Sequence, residues 1–212
     1  MEKIFNNGVW PVMLTPFTDN NSVDYESLGK LVDWYIENGV AGLFADCQSS
    51  EMFFLSLEER VKIASFVKER AAGRVPVVAS GHISESLEAQ AEELNAIAKT
   101  GVDAVIMITN LLAKEDESDE IWLENLKKLL DKLPEDLALG FYECPYPYKR
   151  IISPDLLKWC ADTGRFYFIK DTSCSIENIR AKLEQIEGSH LKLFNANSST
   201  LLETLEMGCS GF

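Results

Sequence analysis

The chain has 212 residues, 46% hydrophobic and 25% charged, a soluble globular balance with room for one large domain or two small ones. Thirty-four acidic against 20 basic residues give a formal charge of −14, which argues against nucleic acid or an anionic membrane surface as partner. No run approaches the roughly 18–20 apolar residues of a membrane-spanning helix.

The N-terminus, MEKIFNNGVW, lacks the basic-then-apolar order of a secretory signal. VWPVMLTPF (9–17) reads as a first strand, and DYESLGKLVDWYIENG (24–39) as a helix whose Leu28, Leu31, Val32, Tyr35 and Ile36 share one face. AGLFAD (41–46) is a second strand. The next helix (56–73) opens on the capping box Ser56–Glu59 and stops at Gly73. Strands at 74–81 and 102–109 follow, each with its helix, at 86–101 and around 118–133. LALGFYE (137–143) precedes a helix at 153–164 with Ser153 as cap and Pro154 in the first turn. FYFIK closes a sixth strand (165–170) before a helix near 175–187. LKLFNA (191–196) is a seventh strand with its helix at 198–208, and Gly211-Phe212 opens an eighth.

Strands that are continuous apolar runs, each followed by a helix, predict a parallel sheet covered by helices. No Gly-x-Gly-x-x-Gly follows the first strand, so a dinucleotide fold has no support. The spacing matches the (β/α)8 TIM barrel, which takes roughly 200–250 residues. The expectation is a single TIM-barrel domain over 1–212, here seven βα units plus the start of strand eight, lacking the last unit and any C-terminal extension. Such a barrel is expected not to close, leaving the first and seventh strands with open edges.

Barrel chemistry sits at the C-terminal strand ends. Those ends carry Thr15, Asp46 to Glu51, Gly81-His82, Thr109-Asn110, Tyr142 to Cys144, Lys170 to Ser173 and Asn195 to Asn197. Lys170 and Tyr142 come from neighbouring strands. A lysine shielded among apolar groups loses the solvation that favours its ammonium. A neutral amine attacks a ketone to form a Schiff base, and a phenol beside it can move protons between the intermediates. The alternative is structural: Lys170 ends its strand in a salt bridge with Asp171 or Glu143. Glu143 near Lys170 would also tend to keep the amine charged.

VWPVMLTPF, AGLFADCQSSEMFFLSLEER, FYECP and FYFIKDTS stand in an order and spacing that resemble the dihydrodipicolinate synthase and N-acetylneuraminate lyase family across the whole chain. The resemblance implies a class I Schiff-base lyase on a TIM barrel. The family's lysine falls on Lys170, and its Tyr-Asn-Val/Ile-Pro motif falls on Tyr142-Glu143-Cys144-Pro145, so Tyr142 inherits the proton relay. The family's carboxylate-holding Gly-Thr/Ser-Thr-Gly-Glu loop falls on Cys47-Gln48-Ser49-Ser50-Glu51, which makes Ser49 and Ser50 the binding hydroxyls. Both loop glycines are replaced, which puts its backbone course in doubt. Synthases also carry Thr-Pro-Tyr-Tyr where this chain has Thr109-Asn110-Leu111-Leu112, and an arginine where it has Pro147. Dihydrodipicolinate synthase activity itself is therefore not expected, and Lys149 or Arg150 replaces the arginine only if the loop bends back.

Catalytic residues are expected to be Lys170 and Tyr142, with Ser49, Ser50, Thr15, His82 and Thr172 binding substrate. No metal and no cofactor is expected: Cys47, Cys144, Cys174 and His82 share a face but lack a zinc spacing and read as pocket lining. Five cysteines without framework spacing fit free thiols in a reducing, cytoplasmic setting. KEDESDE (114–120) reads as a solvated helix start. The expected function is a lyase, aldolase or dehydratase on a 2-oxo acid, with pyruvate as product or donor. The other reading is an inactive relative binding a small oxo acid as a sensor or partner. The family's habit implies a homo-dimer or tetramer.

Overall fold

The computed structural model describes residues 5–212. Six parallel strands, β1 (Leu43–Phe44), β2 (Val77–Ala79), β3 (Ala104–Ile108), β4 (Leu139–Tyr142), β5 (Phe166–Asp171) and β6 (Lys192–Asn195), pair in sequential order. Seven helices alternate with them: α1 (Tyr25–Glu37), α2 (Leu57–Ala71), α3 (Leu87–Ala98), α4 (Asp119–Leu130), α5 (Pro154–Asp162), α6 (Ile176–Ile186) and α7 (Leu201–Glu206). The result is a curled parallel α/β sheet, a partial TIM barrel. Helix boundaries follow local chemistry. Ser56 and Glu59 form a reciprocal capping box on α2, and Ser153 accepts the Leu156 amide above Pro154. Among the described residues, no helix is long and apolar enough to cross a membrane.

Two buried clusters divide the interior by the period-two alternation of the strands. Phe44, Val78, Ile106, Ile108, Tyr142, Phe168 and Phe194 line the inside of the curl, joined by Trp10. Leu43, Val77, Val105, Leu139, Phe141 and Ile169 face outward against Leu28, Ile63, Leu94, Leu126, Leu157 and Ile179 of the helices.

The first expected strand is not regular. Pro11 and Pro16 have no amide to donate, so residues 9–17 make isolated bridges in place of a ladder. Ala41 N donates to Val9 O (2.9 Å), Phe44 N to Pro11 O (3.0 Å), and Met13 N to Phe44 O (2.9 Å).

The expectation of open edges at the first and seventh strands is corrected. Ser210 N donates to Leu193 O (2.8 Å) and Asn195 N to Gly211 O (3.0 Å). On the other side, Gly8 N donates to Ser210 O (2.8 Å) and Trp10 N to Phe212 O (2.7 Å). Three residues thus bridge β6 to the segment before β1. The approach is possible only because residue 211 is glycine: at φ 153° its backbone lies so close that a Cβ would fall 1.8 Å from Gly8 O.

Candidate active site

In the β4–β5 ladder Tyr142 is the register partner of Lys170. Both side chains therefore leave the same, inner face of the curl. Lys170 Nζ lies 4.3 Å from the centroid of the Tyr142 ring and 5.8 Å from that of Phe44. A cavity of about 260 Å3 opens beside it, walled by Trp10, Val12, Phe44, Phe168, Phe194 and Asn195. Among the described residues Lys170 makes no salt bridge.

The carboxylates expected to hold Lys170 are occupied elsewhere. Glu143 and Asp171 follow Tyr142 and Lys170 by one residue, so alternation turns them outward under α6. There Lys182 Nζ donates to Glu143 Oε1 (2.5 Å) and Asp171 Oδ2 (2.6 Å), with all three side chains fully buried. Glu143 also accepts from the amides of Ile152 and Thr172 (both 2.9 Å), tying the β4 and β5 loops together. Burial pushes the Glu143 carboxyl up to about 7, Lys182 pulls it down, and Asp171 raises it. The structural salt bridge is real, but Lys182 makes it.

The Cys47–Glu51 loop reaches the amine and the phenol through two of its side chains, Cys47 and Gln48. Tyr142 Oη donates to Gln48 Oε1 (3.2 Å), and Cys144 Sγ lies 3.7 Å from the same oxygen. Cys47 Sγ is 3.9 Å from Lys170 Nζ. Burial, and after it the Cys47 and Cys144 thiols, hold the Tyr142 phenol well above its ordinary range. Burial also raises Cys47, with Lys170 partly offsetting it, and raises Cys144. The two positions that stand where the resemblance places glycines have backbone that other residues adopt. Cys47 is extended (φ −153°) and Ser50 ends a short 3-10 turn, so neither position needs glycine's freedom. The left-handed residue is Glu51, at φ 64°.

Ser49 is exposed, and no hydrogen bond of its hydroxyl is found among the described residues. Ser50 is buried: its hydroxyl donates to Met13 O (2.6 Å) and accepts the Cys47 amide (3.1 Å). Thr15 Oγ1 donates to Ser50 O (2.7 Å) and Thr172 Oγ1 to Glu143 O (2.6 Å). These three hydroxyls brace the loops. His82 is fully buried, and its Nε2 accepts the Ile108 amide (3.1 Å), so it braces the end of β3. Burial, then Arg60, lowers its pKa to about 3.

Arg60 belongs to a second buried polar group. It donates to Leu55 O (2.7 Å) and Glu93 Oε1 (2.8 Å), while Glu93 Oε2 accepts the Ile83 and Ser84 amides (2.9 and 3.1 Å). Nearby Asp46 is fully buried and pushed up to about 7 by desolvation, against Arg60.

Lys149 and Arg150 do not replace the missing arginine: Lys149 donates to Thr172 O, and Arg150 to Lys114 O, Glu117 O and Asp119. The stretch 114–120 thus receives Arg150 rather than being wholly solvated. Asn110 donates to the Cys144, Tyr146 and Tyr148 carbonyls, shaping the loop after β4. Among the described residues, no three His, Cys, Asp or Glu side chains gather to hold a metal. Cys174 is exposed, and the four groups weighed as zinc ligands do not converge.

Gln48, Lys182 and Arg60 were not singled out from sequence. The signal for Lys182 was its place on the buried stripe of α6 with Ile179 and Ile186. For Gln48 it was its place in the loop facing Tyr142.

A parallel strand–helix curl with a lysine and a tyrosine register-paired at its C-terminal rim defines the class: a TIM-barrel-type protein with an amine–phenol pair. The chain belongs to the dihydrodipicolinate synthetase family, whose sequence profile matches residues 6–212. The family comprises class I, pyruvate-using lyases and aldolases. The chain is 27% identical over 203 residues to the 4-hydroxy-tetrahydrodipicolinate synthase of Oceanobacillus iheyensis, covering 96% of this chain and 67% of that protein. It is 28% identical over 208 residues to the enzyme of the same name from Methanocaldococcus jannaschii, covering 96% and 68%. Among solved structures it resembles a prophage protein of the dihydrodipicolinic acid synthase family from E. coli K12 in complex with pyruvate. That match has TM-score 0.84 and 25% identity, over 96% of this chain and 67% of the other. The 2-keto 3-deoxygluconate aldolase from Picrophilus torridus shares the fold, with TM-score 0.82 and 22% identity over 98% and 73%. The chain spans about two thirds of the length of the curated relatives it matches.

Proposed function

We propose that this protein is a class I lyase, aldolase or dehydratase acting on a 2-oxo acid through a Schiff base on Lys170. The observation that carries the reading is the lysine without a carboxylate: Glu143 and Asp171 are held by Lys182, while Lys170 faces Tyr142 and Phe44. The amine adds to the ketone carbonyl, and loss of water leaves an imine. In its protonated form the imine nitrogen draws the electron pair of the adjacent carbon, so a bond at that carbon breaks or forms. Tyr142 carries protons to and from the carbinolamine and substrate oxygens. Ser49 offers its hydroxyl to the substrate carboxylate. No step needs a metal or an organic cofactor.

One observation favours the second reading, a relative that binds a small oxo acid without turnover. Tyr142 hands its hydrogen bond to the Gln48 amide oxygen, which accepts a proton contact but has no proton of its own to pass on. Exchange of pyruvate methyl hydrogens in heavy water separates the cases. The lyase reading expects exchange catalysed by the wild type and lost in Lys170→Ala. Binding of pyruvate without exchange supports the second reading. No binding and no exchange rejects both.

A further inference from the structure

Cys47 brings a thiol to the reacting amine, at 3.9 Å from Lys170 Nζ. Productive attack places the reacting atoms about 3–3.5 Å apart along the Bürgi–Dunitz direction. A carbon double-bonded to Nζ and approached at that range by sulfur leaves the sulfur about 4 Å from the nitrogen, the separation seen here. The contact is the Lys170 amine donating to the Cys47 sulfur, and it puts that sulfur within reach of a carbon carried on Nζ.

We propose that Cys47 is a second covalent residue of the site, adding to the Lys170 imine of a bound 2-oxo acid to give a reversible N,S-acetal. This inference rests on the Schiff-base reading of Lys170. The step balances within the site. An S–C bond forms, the C=N π pair goes to Nζ, and the thiol proton ends on Nζ, leaving a neutral secondary amine. No oxidant, reductant or co-reactant takes part.

The surroundings suit it. Cys47 is fully buried, so its sulfur is shielded from water, and burial keeps it a neutral thiol, the form whose proton the imine nitrogen needs. Tyr142 and Cys144 stand next to it, and the Lys170 amine has no competing carboxylate. Pinning the sulfur beside the imine carbon replaces a bimolecular encounter by an intramolecular one. The acetal would hold the oxo acid at two points and withdraw it from the reactive imine pool.

The test is carbon-13 NMR of the whole protein with [2-13C]pyruvate, alongside borohydride trapping and mass spectrometry. The expected result is a protein-bound C2 resonance in the tetrahedral, sulfur-substituted range. In Cys47→Ala it should move to the imine range while the borohydride adduct on Lys170 persists. Cys47→Ser keeps the side-chain volume and should also lose the sulfur-substituted resonance. An adduct whose wild-type C2 lies only in the imine range overturns the acetal and leaves the Schiff-base reading standing. A tetrahedral resonance that survives in Cys47→Ala is a carbinolamine and overturns it too. No adduct at all overturns the acetal together with the reading beneath it.

Discussion

Replacing Lys182 by methionine removes the cation between two fully buried carboxylates, Glu143 and Asp171, which it holds at 2.5 and 2.6 Å. Methionine matches the stem and fills the same space, so the perturbation is chiefly electrostatic. Breaking a buried ion pair by deleting one partner costs about 3–5 kcal/mol. The remaining carboxylates cannot both stay charged side by side in the core, so the folded variant takes up a proton that the unfolded chain does not hold. Glu143 is already raised to about 7 with Lys182 present. Without the lysine it is pushed higher, while unfolded carboxylates titrate near 4. A carboxyl raised in the folded state stabilises fully below the unfolded pKa and loses that contribution as pH rises through the folded value. The deficit is therefore largest at alkaline pH. Wild-type Glu143 itself takes up its proton near 7. The deficit thus shrinks mainly above that pH, by up to about 1.4 kcal/mol per unit or roughly 2 kcal/mol from pH 9 to 7, and levels off below it. Urea unfolding of wild type and variant at several pH values measures this. A deficit below about 1 kcal/mol, or one that does not shrink on acidification, refutes the reasoning. Adding Glu143→Gln to Lys182→Met should restore part of the loss at high pH by removing one of the two charges.

The other predictions concern single groups. Tyr142→Phe should still form a borohydride-trapped pyruvate adduct on Lys170 but slow methyl-hydrogen exchange by about 10²–10⁴-fold, the usual contribution of a positioned proton carrier; unchanged exchange would remove Tyr142 from the relay. His82 is lowered to about 3 in the fold, so stability is lost as pH falls from about 6.5 toward 3, at up to about 1.4 kcal/mol per unit. His82→Gln keeps an acceptor for the Ile108 amide and should flatten that acid limb in unfolding measurements; an equally steep limb would count against it. Gly140→Ala puts a Cβ 2.6 Å from both Ile106 Cδ1 and Phe168 O inside the curl. It should cost about 1–3 kcal/mol in chemical denaturation, and a neutral result would mean that the β4–β5 packing is looser than described.

Most of the fold was legible because local signals agreed with the tertiary plan. Ser56, Glu59, Ser153 and Pro154 marked helix starts that the structure keeps, and the apolar runs marked all six ladder strands. The first strand was misread because its apolar pattern outweighed Pro11 and Pro16, whose missing amides forbid a regular ladder. Closure at Ser210–Phe212 was unforeseen because it depends on two glycine backbones 203 positions apart meeting at van der Waals range. Strand order alone put the amine and the phenol on neighbouring strand ends, and their expected catalytic roles came from the family resemblance. The fate of Glu143 and Asp171 needed one further step, since period two turns residues 143 and 171 away from residues 142 and 170. A lysine on the apolar stripe of α6 was the clue to their partner. Ser50, Thr15, Thr172 and His82 show what sequence position cannot reveal: each has a polar atom committed to the backbone, of Met13, Ser50, Glu143 and Ile108 respectively.

The central claim is that Lys170 is the imine-forming amine. Wild type, Lys170→Ala and Lys182→Met should each be incubated with pyruvate and borohydride, digested and mapped by mass spectrometry. The account predicts one modified lysine, Lys170, in wild type, and no modification in Lys170→Ala. Folded Lys182→Met should still be labelled at Lys170, because Lys182 lies outside the curl. Labelling at another lysine, or none in the folded wild type, would contradict it.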